Sequence, residues 1–116
     1  MNMVNTLKAV NALGMLEDIN YGGCGLAALI IAKAVKADGL TPVFWMNSDC
    51  WEHMDHVVVE IAETKRLLEA GSTEASSYWA QYQITEAELR KAIRNRRIWN
   101  RQFDRRTLRM VKSYVL

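Results

Sequence analysis

Two stretches of the chain hold side chains suited to one reaction. In the first, Tyr21-Gly22-Gly23-Cys24-Gly25 runs directly into Leu26-Ala27-Ala28-Leu29-Ile30-Ile31-Ala32. That order places a thiol on a glycine turn at the mouth of an apolar helix. Unpaired N–H groups and the positive dipole end of a helix favour thiolate over thiol. The flanking glycines let a substrate or another backbone approach closely. A buried structural cysteine behind a tight turn is the other reading of the same residues. In the second stretch, His56-Val57-Val58-Val59-Glu60-Ile61 opens on a histidine, and Leu67-Leu68-Glu69-Ala70-Gly71 follows it. A cysteine nucleophile needs a base close by, usually a histidine. The histidine in turn needs a third group that fixes its tautomer and stabilises the imidazolium. Glu69 is the candidate for that role. Glu60 shares the strand face of His56 but lies about 7 Å along the strand, which makes it the weaker choice. Read without chemistry, His56 satisfies a loop carbonyl and Glu69 is a solvated edge residue.

A competing metal set overlaps these residues. Cys50, His53 and His56, with Cys24 as a distant fourth ligand, have the Cys₂His₂ composition that zinc prefers. The spacing lacks the C-x₂-C pair usual on one turn of a zinc knuckle. Otherwise His53 lines a substrate cleft, or replaces His56 as base if the strand starts earlier.

The elements that must position these groups follow from the pattern. Met3, Leu7 and Val10 recur at helical spacing, so residues 3–13 read as an amphipathic helix ended near Gly14. Residues 25–37 are apolar nearly all round and read as a central helix, stopped by Asp38-Gly39. Residues 43–46 read as a strand, residues 47–55 as a polar loop, and residues 56–61 as the clearest strand of the chain. Residues 65–70 should be its antiparallel partner across a tight turn at 62–64, closed by Gly71-Ser72. A two-residue turn opposes His56 to Glu69; a three-residue turn opposes it to Ala70, with Glu69 one step off. Residues 74–82 read as a short helix carrying Tyr78, Trp79 and Tyr82. Thr85-Glu86-Ala87-Glu88 is a capping box that starts a helix at Glu86. Asp104 caps a last helix whose buried face is Leu108, Val111 and Val115. The order is that of a single α+β domain over residues 1–116.

Taken together, Gly22-Gly23-Cys24-Gly25 opening an apolar helix, Asp55-His56 opening a strand with Glu60, and Leu67-Leu68-Glu69-Ala70-Gly71 resemble a minimal papain-like cysteine peptidase core. Small papain-like proteins of bacteria and their phages share this order. The resemblance covers residues 18–72. It implies a central helix bearing the cysteine, packed on a small antiparallel sheet, with C-terminal helices. It also implies Cys24 as nucleophile, His56 as base and Glu69 as orienting residue. Papain-like enzymes usually place Asn or Asp in the third role, and often carry a glutamine six residues before the cysteine for the oxyanion hole. Asp18 holds that position here. Asn20 offers a nearby amide, and the backbone N–H of Cys24 a second donor, with Gly23 and His53 at the substrate side.

Composition bounds the rest. At 116 residues, half hydrophobic and 24% charged, the chain has a globular balance. It shows no signal-peptide pattern and no apolar run long enough to span a bilayer, so the expected location is cytoplasmic, the host cytoplasm for a phage protein. Cys24 and Cys50 then read as thiols rather than a disulfide. The net charge of +2 is unevenly spread. Residues 1–85 hold 5 basic and 10 acidic groups, while residues 86–116 hold 10 basic and 3 acidic groups. Arg94, Arg96, Arg97, Trp99, Arg101, Phe103, Arg105, Arg106 and Arg109 interleave guanidinium and aromatic groups. Such a segment grips an acidic partner or nucleic acid, or buries its apolar residues and matches the acidic body. The expected function is a cysteine-dependent hydrolase of peptide, isopeptide or amide bonds acting on a protein or peptide without a cofactor. The alternatives are a non-catalytic papain-like binding protein and a zinc module.

Overall fold

Each apolar stretch of the sequence finds its face against the next. The computed structural model describes residues 2–16, 19, 24–48, 56–95, 109 and 113. In chain order these form α1 (Val4–Gly14), α2 (Cys24–Ala37), β1 (Pro42–Asn47), β2 (His56–Ile61) and β3 (Arg66–Leu68). A 3₁₀ turn (Ser77–Trp79), β4 (Tyr82–Ile84) and α3 (Glu86–Arg94) complete them. The architecture is α+β, with a four-stranded antiparallel sheet in the order β3-β2-β1-β4. Strand alternation sends Val57, Val59 and Ile61 to one face, where they join Ile30, Ile31 and Val35 of α2 in the core. The same core takes Val10 and Leu13 from α1 and Leu89 from α3. α1 and α3 both pack on α2, which is why α2 is apolar on almost every side.

The helix ends are set by particular residues. α2 stops in a Schellman motif: Gly39 takes φ +77°, its N–H reaches the Lys36 carbonyl, and the Leu40 N–H reaches that of Val35. α3 starts at the expected capping box, with Thr85 Oγ1 accepting from the Glu88 N–H and Glu88 Oε1 accepting from the Thr85 N–H, both at 3.0 Å. Asp38, just past α2, does something the sequence did not suggest. Its carboxylate accepts from the backbone N–H groups of Asn5 (3.1 Å) and Thr6 (2.7 Å), and from the Thr6 hydroxyl (2.6 Å). It thus caps α1 from another element. Burial works against the charged carboxylate, but these hydrogen bonds prevail and hold Asp38 below the usual carboxylate range. Asp38→Ala is expected to destabilise the fold by ~1–2 kcal/mol. A group whose pKa is depressed on folding contributes above its unfolded value and loses that contribution as pH falls. Urea denaturation at pH 7 and at pH 3 checks this: the gap between parent and variant should shrink at the lower pH.

Three expectations need correction. Lys65 is not the first residue of β3. It lies in a four-residue turn, residues 62–65, with φ +61° and its N–H on the Ile61 carbonyl. Val59 therefore faces Leu68, and neither register expected for His56 and Glu69 occurs. Residues 74–82 do not form one helix, because only Ser77–Trp79 are helical and Tyr82 opens a strand paired to β1. Asn47 belongs to β1 and directly faces His56, rather than starting the loop. The Asp104 helix, with Leu108, Val111 and Val115, lies outside the described residues.

Candidate active site

Cys24 is the first residue of α2, where the N–H groups of the first turn lack intrahelical acceptors. No acidic side chain in that turn offsets the positive helix end. The side chain is 3% exposed, and the thiol is free. His56 opens β2 and is 5% exposed. The Cys24 side chain is among the groups that act on the ionisation of His56.

Glu69 reaches the same histidine from the far end of the hairpin. Carried one step past Val59↔Leu68, the register sets Glu69 opposite Val58, on the face of His56 but diagonal to it. Diagonal neighbours stand about 7–8 Å apart at Cα, a gap suited to the longer acidic side chain. Glu69 Oε2 lies 2.6 Å from His56 Nε2. With Nε2 held by the carboxylate, Nδ1 is the nitrogen left for the thiol. Glu60, the other carboxylate on this face, instead accepts from Trp45 Nε1 at 3.3 Å.

The ring contact of His56 had no signal in the sequence, because it is tertiary. The Trp79 ring covers the imidazole, with centroids 4.7 Å apart and a 59° tilt. Tyr78 meets Trp79 edge-on at 5.0 Å. The turn that carries both is pinned from the sheet: Asn47, 1% exposed and facing His56 in the register, donates its amide to the Tyr78 carbonyl at 3.0 Å. A buried amide with its partner in place stiffens such a turn.

The surroundings of His56 favour its protonated form. Burial alone would lower the pKa of His56, since it penalises the imidazolium. The hydrogen bonds to Cys24 and Glu69, and the negative charge of each, outweigh it and raise the group from 6.5 to about 9. Cys24 and Glu69 thus both act on the one imidazole and favour its protonated form.

Asn20, Gly23 and His53 lie outside the described residues, as do Asp18 and Cys50. The basic segment does too, except for Arg94 at the end of α3 and Arg109. Among the described residues no group of three or more His, Cys, Asp and Glu is arranged to hold a metal ion. No helix among them is long and apolar enough to cross a membrane. No protein-family model, no curated protein and no solved structure matches the chain.

Proposed function

We propose that the chain is a papain-like, cysteine-dependent hydrolase that cleaves peptide, isopeptide or amide bonds. The observation that carries this is His56 held by the Glu69 carboxylate at 2.6 Å, with the Cys24 side chain acting on the same imidazole. In this reading Cys24 passes its proton to His56 and attacks the substrate carbonyl carbon through Sγ. The carbonyl π bond opens onto oxygen, and the Cys24 backbone N–H and the Asn20 side chain are the candidate donors to the oxyanion. As the tetrahedral adduct collapses, the C–N bond breaks and His56 gives its proton to the leaving nitrogen. Water then attacks the thioester, His56 takes the water proton, and the thiolate leaves. Glu69 keeps Nε2 engaged throughout, so that Nδ1 faces the sulfur. The substrate is a protein or peptide, and the basic segment from Arg94 to Arg109 is the element for an acidic partner or nucleic acid.

The burial of Cys24 favours a second reading of the same geometry, a papain-like scaffold that binds a partner without turnover. Reaction with p-nitrophenyl acetate separates the two. A hydrolase releases nitrophenol through many turnovers, and Cys24→Ala abolishes the release. A scaffold stops after one acyl group per chain, or does not react, and either outcome would overturn the enzyme reading.

A further inference from the structure

The acid of the site sits on a turn rather than on a strand. β3 ends at Leu68, and Glu69 pairs only with Ser72, each N–H on the other's carbonyl at 3.0 and 3.1 Å. Ala70 and Gly71 form the tip, with Gly71 at φ +81°. So short a turn has little of its own to fix where the Glu69 side chain points.

α1 supplies what the turn lacks. The Gly71 N–H donates to the Val10 carbonyl at 2.9 Å. Gly14, the last residue of α1, lies directly against the turn: a Cβ there would stand 2.4 Å from the Gly71 Cα and 2.9 Å from its nitrogen. Only a glycine at position 14 allows this approach. At its other end α1 is bound to Asp38, which follows the helix that begins at Cys24. One helix thus ties the element carrying the thiol to the turn carrying the carboxylate.

We propose that α1 is the positioning element of the site, with Gly14 seating the Ala70–Gly71 turn so that Glu69 meets His56. Gly14 touches none of the reacting groups and acts through Glu69. The inference rests on the proposed function only for what the His56–Glu69 pair is used for; the pairing itself can be read without turnover. Among the described residues the titratable groups that act on His56 are Cys24 and Glu69; Glu60, on the same strand face, accepts from Trp45, and Asn47 and Trp79 beside His56 carry no charge.

The test is the imidazole titration of His56, followed by NMR in the unaltered chain, in Gly14→Ala and in the exposed α1 control Asn11→Ala. Carbon atoms in contact prefer about 3.5–4 Å, so the added methyl must move the turn by ~1 Å. The His56 pKa should then fall by about one unit or more in Gly14→Ala, through loss of the carboxylate, and stay at the parent value in the control. Should Gly14→Ala not fold, Gly71→Asn carries the test. Asparagine tolerates the left-handed backbone, and its Cβ would meet the Gly14 Cα at 3.2 Å, so a smaller fall in the same direction is expected. A folded variant whose His56 titrates like the parent overturns the proposal. Normal ester turnover with an unchanged His56 in Gly14→Ala would sink the positioning role alone. A lowered His56 pKa in Gly14→Ala, in a parent chain that never turns over, would sink the enzyme and leave the positioning intact.

Discussion

His56→Ala should slow alkylation of Cys24 by iodoacetamide about 100-fold at pH 6. A free cysteine with the ordinary pKa of about 8.5 is well under one per cent thiolate at that pH. In the proposed mechanism the base for the sulfur is the imidazole that Glu69 holds at 2.6 Å. Removing the imidazole returns Cys24 to the helix end alone, worth ~0.3–1 kcal/mol, or less than tenfold. Access works against the expected slowing, since Cys24 is 3% exposed and trimming its neighbour opens the site. The rates are to be compared by mass spectrometry of the Cys24 peptide, which separates it from Cys50. A difference below tenfold means that His56 does not activate the thiol.

Glu69→Gln should change how stability depends on pH. His56 is raised on folding from 6.5 to about 9, so the native chain holds its proton more tightly than the unfolded chain does. The resulting stabilisation is fully present below about pH 6.5 and is lost as pH rises through about 9. A shift of that size corresponds to about 3 kcal/mol, taken as an order of magnitude. Glutamine keeps a hydrogen-bonding side chain of the same length but removes the Glu69 charge that helps to raise His56. At least ~1 kcal/mol of the alkaline loss should disappear, so urea unfolding at pH 6 and pH 10 should give a smaller difference than in the parent. Thiol and lysine ionisation is common to both chains and cancels in the comparison. Equal losses in the two chains would mean that the Glu69 charge does not act on His56.

How much of this could be read from the sequence depends on how local each signal is. The helix behind Cys24, the strand behind His56 and the capping box at Thr85 each rest on a few adjacent residues, and each appears where expected. Glu69 was reached because one hairpin joins it to His56, although the turn has four residues rather than two or three. A turn length depends on local details such as the left-handed Lys65, which nothing in that residue's chemistry announces. β4 escaped for a different reason. Tyr82-Gln83-Ile84 is too short to show a period, and β1 makes it a strand. Asp38 on α1, Asn47 on the Tyr78 carbonyl and Gly14 on Gly71 are contacts between distant parts of the chain. The sequence names these residues but carries no mark of their partners.

The central claim is that Cys24 and Glu69 both act on His56 and hold it in its protonated form. The chain has two histidines, so its imidazole spectrum is simple, and His56→Ala assigns the signal. A pH titration of that signal in the unaltered protein tests the claim most directly. The structure predicts a midpoint at about 9, with the imidazolium persisting through neutral pH. A midpoint at or below the ordinary value of about 6.5 in the folded chain would contradict it.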